Sequence, residues 1–247
     1  MPTMLITGGS RGIGAATARL AARRGYNVCI TYRHDQAAAA ALVAEIDAAG
    51  GQALALAADV AVEAELLAVF DHLDRHVGRL DALVNNAGVL EQQMRFDQMD
   101  TARWQRILIT NILGSFICCR EAVRRMSQRY GGAGGAIVNV SSMAAQLGSP
   151  GEYVDYAASK GAIDSLTVGL AREVAAEGIR VNAVRPGLIA TAIHASGGEP
   201  ARVERLKAGV PMQRGGQAEE VAQAILWLLS AEASYVTGAL LDVSGGR

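Results

Sequence analysis

No apolar run in the sequence approaches the ~20 residues that a membrane-crossing helix needs, so no membrane partner is expected. Net charge is nearly absent. The 23 Lys and Arg residues face 24 Asp and Glu residues for a formal charge of −1, which argues against the basic face of a nucleic-acid binder. Cysteine is scarce and odd in number: Cys29, Cys118 and Cys119 each stand inside an apolar strand or helix pattern. Buried free thiols in a reducing compartment are expected, with no metal-ligand spacing among them. Nothing resembling a signal peptide precedes the first apolar run, which points to the cytoplasm. Linkers, repeats and low-complexity tracts are also missing, so residues 1–247 are expected to form a single domain. What is abundant is apolar surface, at 51% of residues, enough for a large core and against disorder.

The chain opens on Met4-Leu5-Ile6-Thr7-Gly8-Gly9-Ser10-Arg11-Gly12-Ile13-Gly14. The apolar run reads as a buried strand, and Ile13 to Arg24 reads as a helix with Ile13, Ala16, Leu20 and Ala21 on one face. A strand, a glycine turn and a helix present free backbone N–H groups and a positive helix end to a phosphate. Gly8 suits the turn, Gly12 the approach of backbone to a pyrophosphate, and Gly14 close packing of helix on strand. Further strands are expected at 27–32, 52–58, 80–84, 136–141, 180–185 and 238–243. Helices are expected at 37–49, 63–77, 101–129, 156–177 and 217–229, with an irregular stretch at 192–216. Alternation of this kind predicts an α/β fold, a doubly wound parallel sheet of about seven strands with its ligand at their carboxyl ends.

Three further patterns carry chemistry. Asn85-Asn86-Ala87-Gly88 follows the fourth strand, where an amide can bridge neighbouring strands and small residues leave room for a ligand. Asn111 stands within the long helix, where asparagine competes for backbone bonds. Tyr156 and Lys160 lie one turn apart on a helical face, fourteen residues after Ser142 at the end of the fifth strand. A free tyrosine has a pKa of about 10, and a nearby ammonium favours its phenolate.

As a set, T-G-G-S-R-G-I-G, N-N-A-G, T-N-I-L-G, V-N-V-S-S and Y-A-A-S-K resemble the motifs of short-chain dehydrogenases/reductases, and the resemblance covers essentially the whole chain. It implies a Rossmann-type single domain and a nicotinamide cofactor. It also implies a catalytic set in which Tyr156 is the general acid/base, Lys160 tunes it and holds the nicotinamide ribose, and Ser142 polarises the substrate oxygen. Asn111 would stabilise a local helix distortion and hold a water, unless it is a satisfied core asparagine. Ser141 is the weaker serine, and Tyr153 is excluded from the pair because Ala157 stands four residues after it.

Cofactor contacts are expected from Gly8, Ser10, Arg11, Gly12, Ile13 and Gly14, and from Asn86, Ala87 and Gly88 after the fourth strand. The resemblance sets Asp59 and Val60 against an adenine ring, although Asp59 can equally cap the helix near Glu63. It sets Pro186, Gly187, Ile189 and Thr191 beside the nicotinamide, with an N-cap role open for Thr191. An NAD site usually carries a carboxylate where the second strand ends. Here Tyr32, Arg33 and His34 stand there instead, and Asp35 comes too late. Arg33, with Arg11 and Ser10, is expected to clamp a 2′-phosphate. Charge-assisted bonds contribute roughly 1.5–3 kcal/mol each, so NADP(H) is expected over NAD(H).

The pocket is expected from 90–94, 143–153 and 188–210, with 192–216 as a mobile lid. No arginine cluster is expected to face it, which favours a neutral carbonyl or secondary alcohol. A 3-oxoacyl thioester reductase and a sugar or alcohol dehydrogenase are the specific alternatives. Arg125, Arg129 and Arg172 could dock an acidic acyl carrier in the first case. An NADPH-binding sensor would lack part of the Ser-Tyr-Lys set, and a nucleotide-sugar epimerase would need a larger C-terminal domain. The resemblance also implies a homotetramer in which 101–129 and 156–177 pair across a two-fold axis.

Overall fold

The computed structural model describes residues 1–247. Seven strands, β1 (Thr3–Ile6), β2 (Asn27–Tyr32), β3 (Gln52–Ala57), β4 (Ala82–Asn85), β5 (Gly135–Val140), β6 (Ile179–Pro186) and β7 (Leu240–Val243), form one sheet in the order β3-β2-β1-β4-β5-β6-β7. Every neighbouring pair is parallel. The expected doubly wound α/β sheet is present. Strand order reverses between β1 and β4, so their carboxyl ends flank the crevice where such sheets take ligands.

Ten α-helices cover the sheet: α1 (Gly12–Arg23), α2 (Gln36–Ala48), α3 (Glu63–His76), α4 (Thr101–Leu108), α5 (Gly114–Met126), α6 (Ala144–Leu147), α7 (Val154–Val174), α8 (Ile193–Ser196), α9 (Arg202–Leu206) and α10 (Ala218–Leu229). Because side chains alternate across a strand, Met4 and Ile6 of β1 enter one core layer with α1, α2 and α10. Leu5 enters the other, with α3, α5 and α7. Strands buried on both faces read as continuous apolar runs, which is why β2 (N-V-C-I-T-Y) was legible to the residue. Each fully buried side chain of this size contributes about 1.5–3 kcal/mol, so Phe70, Ile137 and Leu83, all buried, anchor the layer beneath the site.

Two regions differ from the sequence expectation. The helix expected over 101–129 is α4, then a wider π turn at Ile109–Leu113, then α5. It stops at Met126, where Ser127 turns extended, and a 3₁₀ turn closes at Gly131 with φ 85°. The stretch 192–216 is not wholly irregular, since α8 and α9 lie within it. Along α4, the π turn and α5, Leu108, Ile109, Leu113 and Phe116 are exposed. All three cysteines are buried and unbonded, and burial pushes the Cys29 and Cys119 thiols up to about 12. No helix is long and apolar enough to cross a membrane.

Candidate active site

Gly8 at φ 63° and Gly12 at φ 56° occupy the left-handed region that glycine enters without strain. The turn they make is crowded: a Cβ on Gly14 would sit 2.6 Å from the Gly8 carbonyl oxygen. Asn86 Nδ2 donates to the Thr7 and Gly8 carbonyls, each at 2.9 Å, bracing the turn against the end of β4. Asn85 lies deeper and donates to Asn139 Oδ1 at 2.9 Å. Both asparagines are therefore structural struts, though Asn86 also lines the cleft. Helix α1 begins after Arg11 with no side-chain cap, so its first N–H groups remain available to an anion.

One cleft of about 410 Å³ gathers the expected residues. Gly8, Ser10, Arg11, Gly12 and Ile13 line it, as do Arg33, His34, Asp59, Val60, Asn86, Ala87 and Gly88. Ser142, Tyr156, Lys160, Pro186, Gly187, Ile189 and Thr191 line its other half. Gly14 and Asn111 do not. Gly14 serves the tight packing of α1 on the turn rather than on the strand, and Asn111 stands behind the wall. Thr191 is not a helix cap, because α8 starts after Ala192. Its methyl lies instead 3.5 Å from where a Gly12 Cβ would be. Asp59 does not cap α3 either, whose N-cap is Val62. It accepts from the Ala61 N–H at 2.9 Å and lies 3.7 Å from Arg33 Nη1. Asp35 is spent capping α2, accepting from the Ala38 N–H at 3.0 Å.

At the carboxyl end of β5 the two serines divide their work. Ser141 Oγ donates to the Lys160 carbonyl at 3.1 Å, whereas Ser142 Oγ accepts from the Ala144 N–H at 3.1 Å and shares the cleft with the Tyr156 phenol. Lys160 Nζ donates to the Val140 carbonyl at 2.8 Å and lies 5.6 Å from the Tyr156 ring centre. Asn111 occupies the π turn. Its Oδ1 accepts from Val89 N–H at 2.8 Å, while Nδ2 donates to the Val89 carbonyl at 3.1 Å and to Ser159 Oγ at 3.0 Å. A Cβ on Gly88 would lie 3.4 Å from Asn111 Oδ1 and 3.5 Å from Lys160 Nζ. That glycine keeps open the space between them.

The substrate side is walled by Leu90, Met143, Leu147, Tyr153, Ile193 and His194. The polar residues expected there are consumed by pairings instead. Glu91 holds Arg106, Gln93 holds Glu199, and Glu152 holds Arg202. Arg202 lines the cleft on this side. Its charge is matched by Glu152 and by Glu199 at 3.1 Å, and it lies 5.2 Å from the Tyr153 ring centre. The Tyr153 hydroxyl donates to the Gly197 carbonyl at 3.1 Å, outside the Tyr156 pair. His194 Nε2 bonds the Ile189 carbonyl at 2.8 Å, and burial lowers its pKa, so its ring is neutral. Arg125 is occupied too, by Asp74 at 2.7 Å and Glu121 at 2.9 Å.

A family model described as enoyl-(acyl carrier protein) reductase matches residues 8–247. An uncharacterized oxidoreductase of Escherichia coli (strain K12), YgfF, is 60% identical over the whole of both chains. Glucose 1-dehydrogenase 2 of Bacillus subtilis (strain 168) is 39% identical over 99% of this chain and 93% of its own length. The crystal structure of a short-chain dehydrogenase from Burkholderia cenocepacia J2315 in complex with NADP superposes with a TM-score of 0.91 at 33% identity, over 99% of this chain and 97% of that one. The chain belongs to the short-chain dehydrogenase/reductase family. Its members act as oxidoreductases with a nicotinamide cofactor.

The residues of this short-chain dehydrogenase/reductase fit such a cofactor. The glycine turn leaves a cradle for a phosphate, Gly88 leaves room beside Lys160, and the Ile189 N–H has no backbone acceptor within the chain. Burial governs the electrostatics of the chain by itself. Burial pushes the Tyr156 phenol up to about 12, with the Ser142 hydrogen bond opposing it. Burial likewise brings Lys160 down to about 8, against the pull of Asp164. Within this chain, desolvation outweighs the attraction of ammonium for phenolate, because both groups are enclosed together.

The Lys160 shift has a defined sign. Between pH 8 and its ordinary 10.5, the unfolded chain binds a proton that the folded chain does not, so this group's contribution to stability rises with pH across that window. Urea unfolding of the wild type and Lys160→Met should therefore diverge, the wild type gaining on the order of 3 kcal/mol from the lower end of the window to the upper. Parallel pH profiles would mean that Lys160 titrates normally.

Proposed function

We propose that the protein moves a hydride between NADP(H) and a neutral carbonyl compound or secondary alcohol of modest size. The observation that carries this reading is the meeting of Ser142, Tyr156 and Lys160, with Lys160 Nζ 5.6 Å from the Tyr156 ring centre, at one end of a cleft that begins at the glycine turn. The bound nicotinamide supplies the hydride chemistry. Tyr156 gives its hydroxyl proton to the substrate oxygen in reduction, or takes it in oxidation. Ser142 Oγ orients that oxygen. Lys160 stabilises the phenolate left behind, and it binds the nicotinamide ribose. Asn111 holds the helix distortion and a water behind Lys160. Residues 192–216 act as a lid over the substrate, latched by Arg202 and Glu199.

The first turn of α1 and residues Gly8 to Ile13 would take the pyrophosphate. Asp59 and Val60 border the adenine, and Ile189 and Thr191 hold the carboxamide end. Arg33 is half exposed and free of any closer partner than Asp59 at 3.7 Å, so with Arg11 and Ser10 it can meet a 2′-phosphate. The Burkholderia relative was crystallised with NADP, which supports the same choice. Fluorescence titration should find NADPH bound roughly tenfold or more tighter than NADH, and Arg33→Asp should reverse the order. Equal affinities in the wild type would refute the clamp.

For the chemistry, Tyr156→Phe should lower turnover by roughly 10²–10⁴-fold with NADPH affinity retained. The assay is NADPH oxidation over 3-oxoacyl thioesters, diketones, aldehydes and ketoses, beside an NADP⁺ panel of sugars and alcohols. A preference for a charged keto acid would contradict the neutral-substrate reading, because the arginine at the cleft already has its counter-charges.

The apolar face of Leu108, Ile109, Leu113 and Phe116, exposed on the single chain, supports pairing of the α4–α5 helices with those of a second copy. Edge strand β7, with Trp227 and Tyr235 exposed nearby, supports a second interface and hence a homotetramer. Light scattering at micromolar concentration should report four copies; a monomer would overturn this.

A further inference from the structure

Behind the cleft lies an ion pair that the reaction does not touch. Arg103 in the first turn of α4 is 4% exposed, and Asp155 in the first turn of α7 is 6% exposed. Arg103 Nε and Nη2 donate to the two carboxylate oxygens of Asp155 at 2.6 and 3.2 Å, and Nη1 donates to the Gln92 carbonyl at 2.6 Å. Asp155 Oδ1 also accepts from the Tyr156 N–H at 2.9 Å. Neither side chain lines the cleft. One turn further along α4, Arg106 grips Glu91 through a second fork at 2.7 and 2.9 Å.

Stability alone is a poor explanation for this pair. Desolvating two charges costs several kcal/mol per ion, and well-packed apolar residues often replace a buried pair with no loss. What apolar residues cannot do is hold three elements in fixed directions at once. One guanidinium here ties α4, the loop that runs on from Leu90 of the cleft wall, and the turn of α7 that carries Tyr156. Ser142 comes from β5, a different element, so the Tyr156–Ser142 alignment depends on where α7 begins.

We infer that Arg103 and Asp155 are positioning residues that hold Tyr156 in line with Ser142 and fix the 90–95 loop as a cleft wall. The inference rests on Tyr156 being the acid/base group. Its test compares Arg103→Met, Asp155→Leu and the double variant. Each single variant strands a buried charge and should melt lower. The double removes both charges and should recover most of the thermal stability.

In that double variant, amide hydrogen exchange should be faster in 90–95 and 154–158 than in the wild type. Its turnover of the most active carbonyl compound from the panel should remain roughly 10²-fold down, the cost of misplacing a catalytic group, with NADPH affinity unchanged. Recovery of stability, exchange protection and turnover together would make the pair merely structural and overturn the inference. Arg103→Lys decides the matter if the double variant does not fold. It keeps the charge but cannot reach both Asp155 oxygens and Gln92, so it should fold with reduced turnover, and full turnover would refute the role. The exchange measurement needs no chemistry. It therefore separates failure of this inference from failure of the Tyr156 reading, which Tyr156→Phe tests by itself.

Discussion

Asn111 uses both ends of its amide to bridge the loop after β4 and α7. It accepts from and donates to the backbone of Val89, on the loop after β4, and donates to Ser159 of α7. To do so it sits in a π turn, where one extra residue widens the helix and turns the side chain inward. Such turns cost hydrogen-bond geometry and persist mostly at functional sites. The buried amide leaves no room for slack, since an unpaired polar group there costs about 1–3 kcal/mol. Lys160, Tyr156 and Gly88 all take their places relative to this bridge.

The end of the cleft that holds Tyr156 is thus a place where polar groups are enclosed and most are paired. Lys160 finds the Val140 carbonyl, Ser141 finds the Lys160 carbonyl, and Ser142 accepts from the Ala144 N–H. Enclosure raises the phenol and lowers the ammonium, so both side chains are held nearer their neutral forms than water would hold them. In a low-dielectric site each contact is stronger and each missing contact more costly. The cofactor end has the opposite character. Arg11, Arg33 and His34 are exposed or nearly so, and the turn offers backbone N–H groups rather than enclosed side chains.

Between the two ends, the substrate wall is apolar on the inside and ionic on the outside. Leu90, Met143, Leu147 and Ile193 face in beside Arg202, while Glu91, Gln93, Glu152, Glu199 and Arg106 lock the loops behind them. Charges at such positions serve to hold loop geometry.

The sequence by itself determined the sheet and the chemistry-bearing residues. Continuous apolar strands, glycines at fixed spacing, and tyrosine and lysine one turn apart are local patterns, and local geometry follows from them. The residues that line one cleft were legible, Ser142, Tyr156 and Lys160 at one end and the expected cofactor-side residues at the other, apart from Gly14 and the expected catalytic Asn111, which the fold sets behind the cleft. The tertiary structure alone decided what each polar residue is paired with. Arg103 and Asp155 are 52 residues apart, so no periodicity links them. The π turn lies where the family resemblance implied a helix distortion at Asn111, but the nearly unbroken helical pattern around it carried no sign of its form. Glu91, Gln93 and Glu152 were expected in the pocket because a loop's sequence carries no sign of which way its side chains turn.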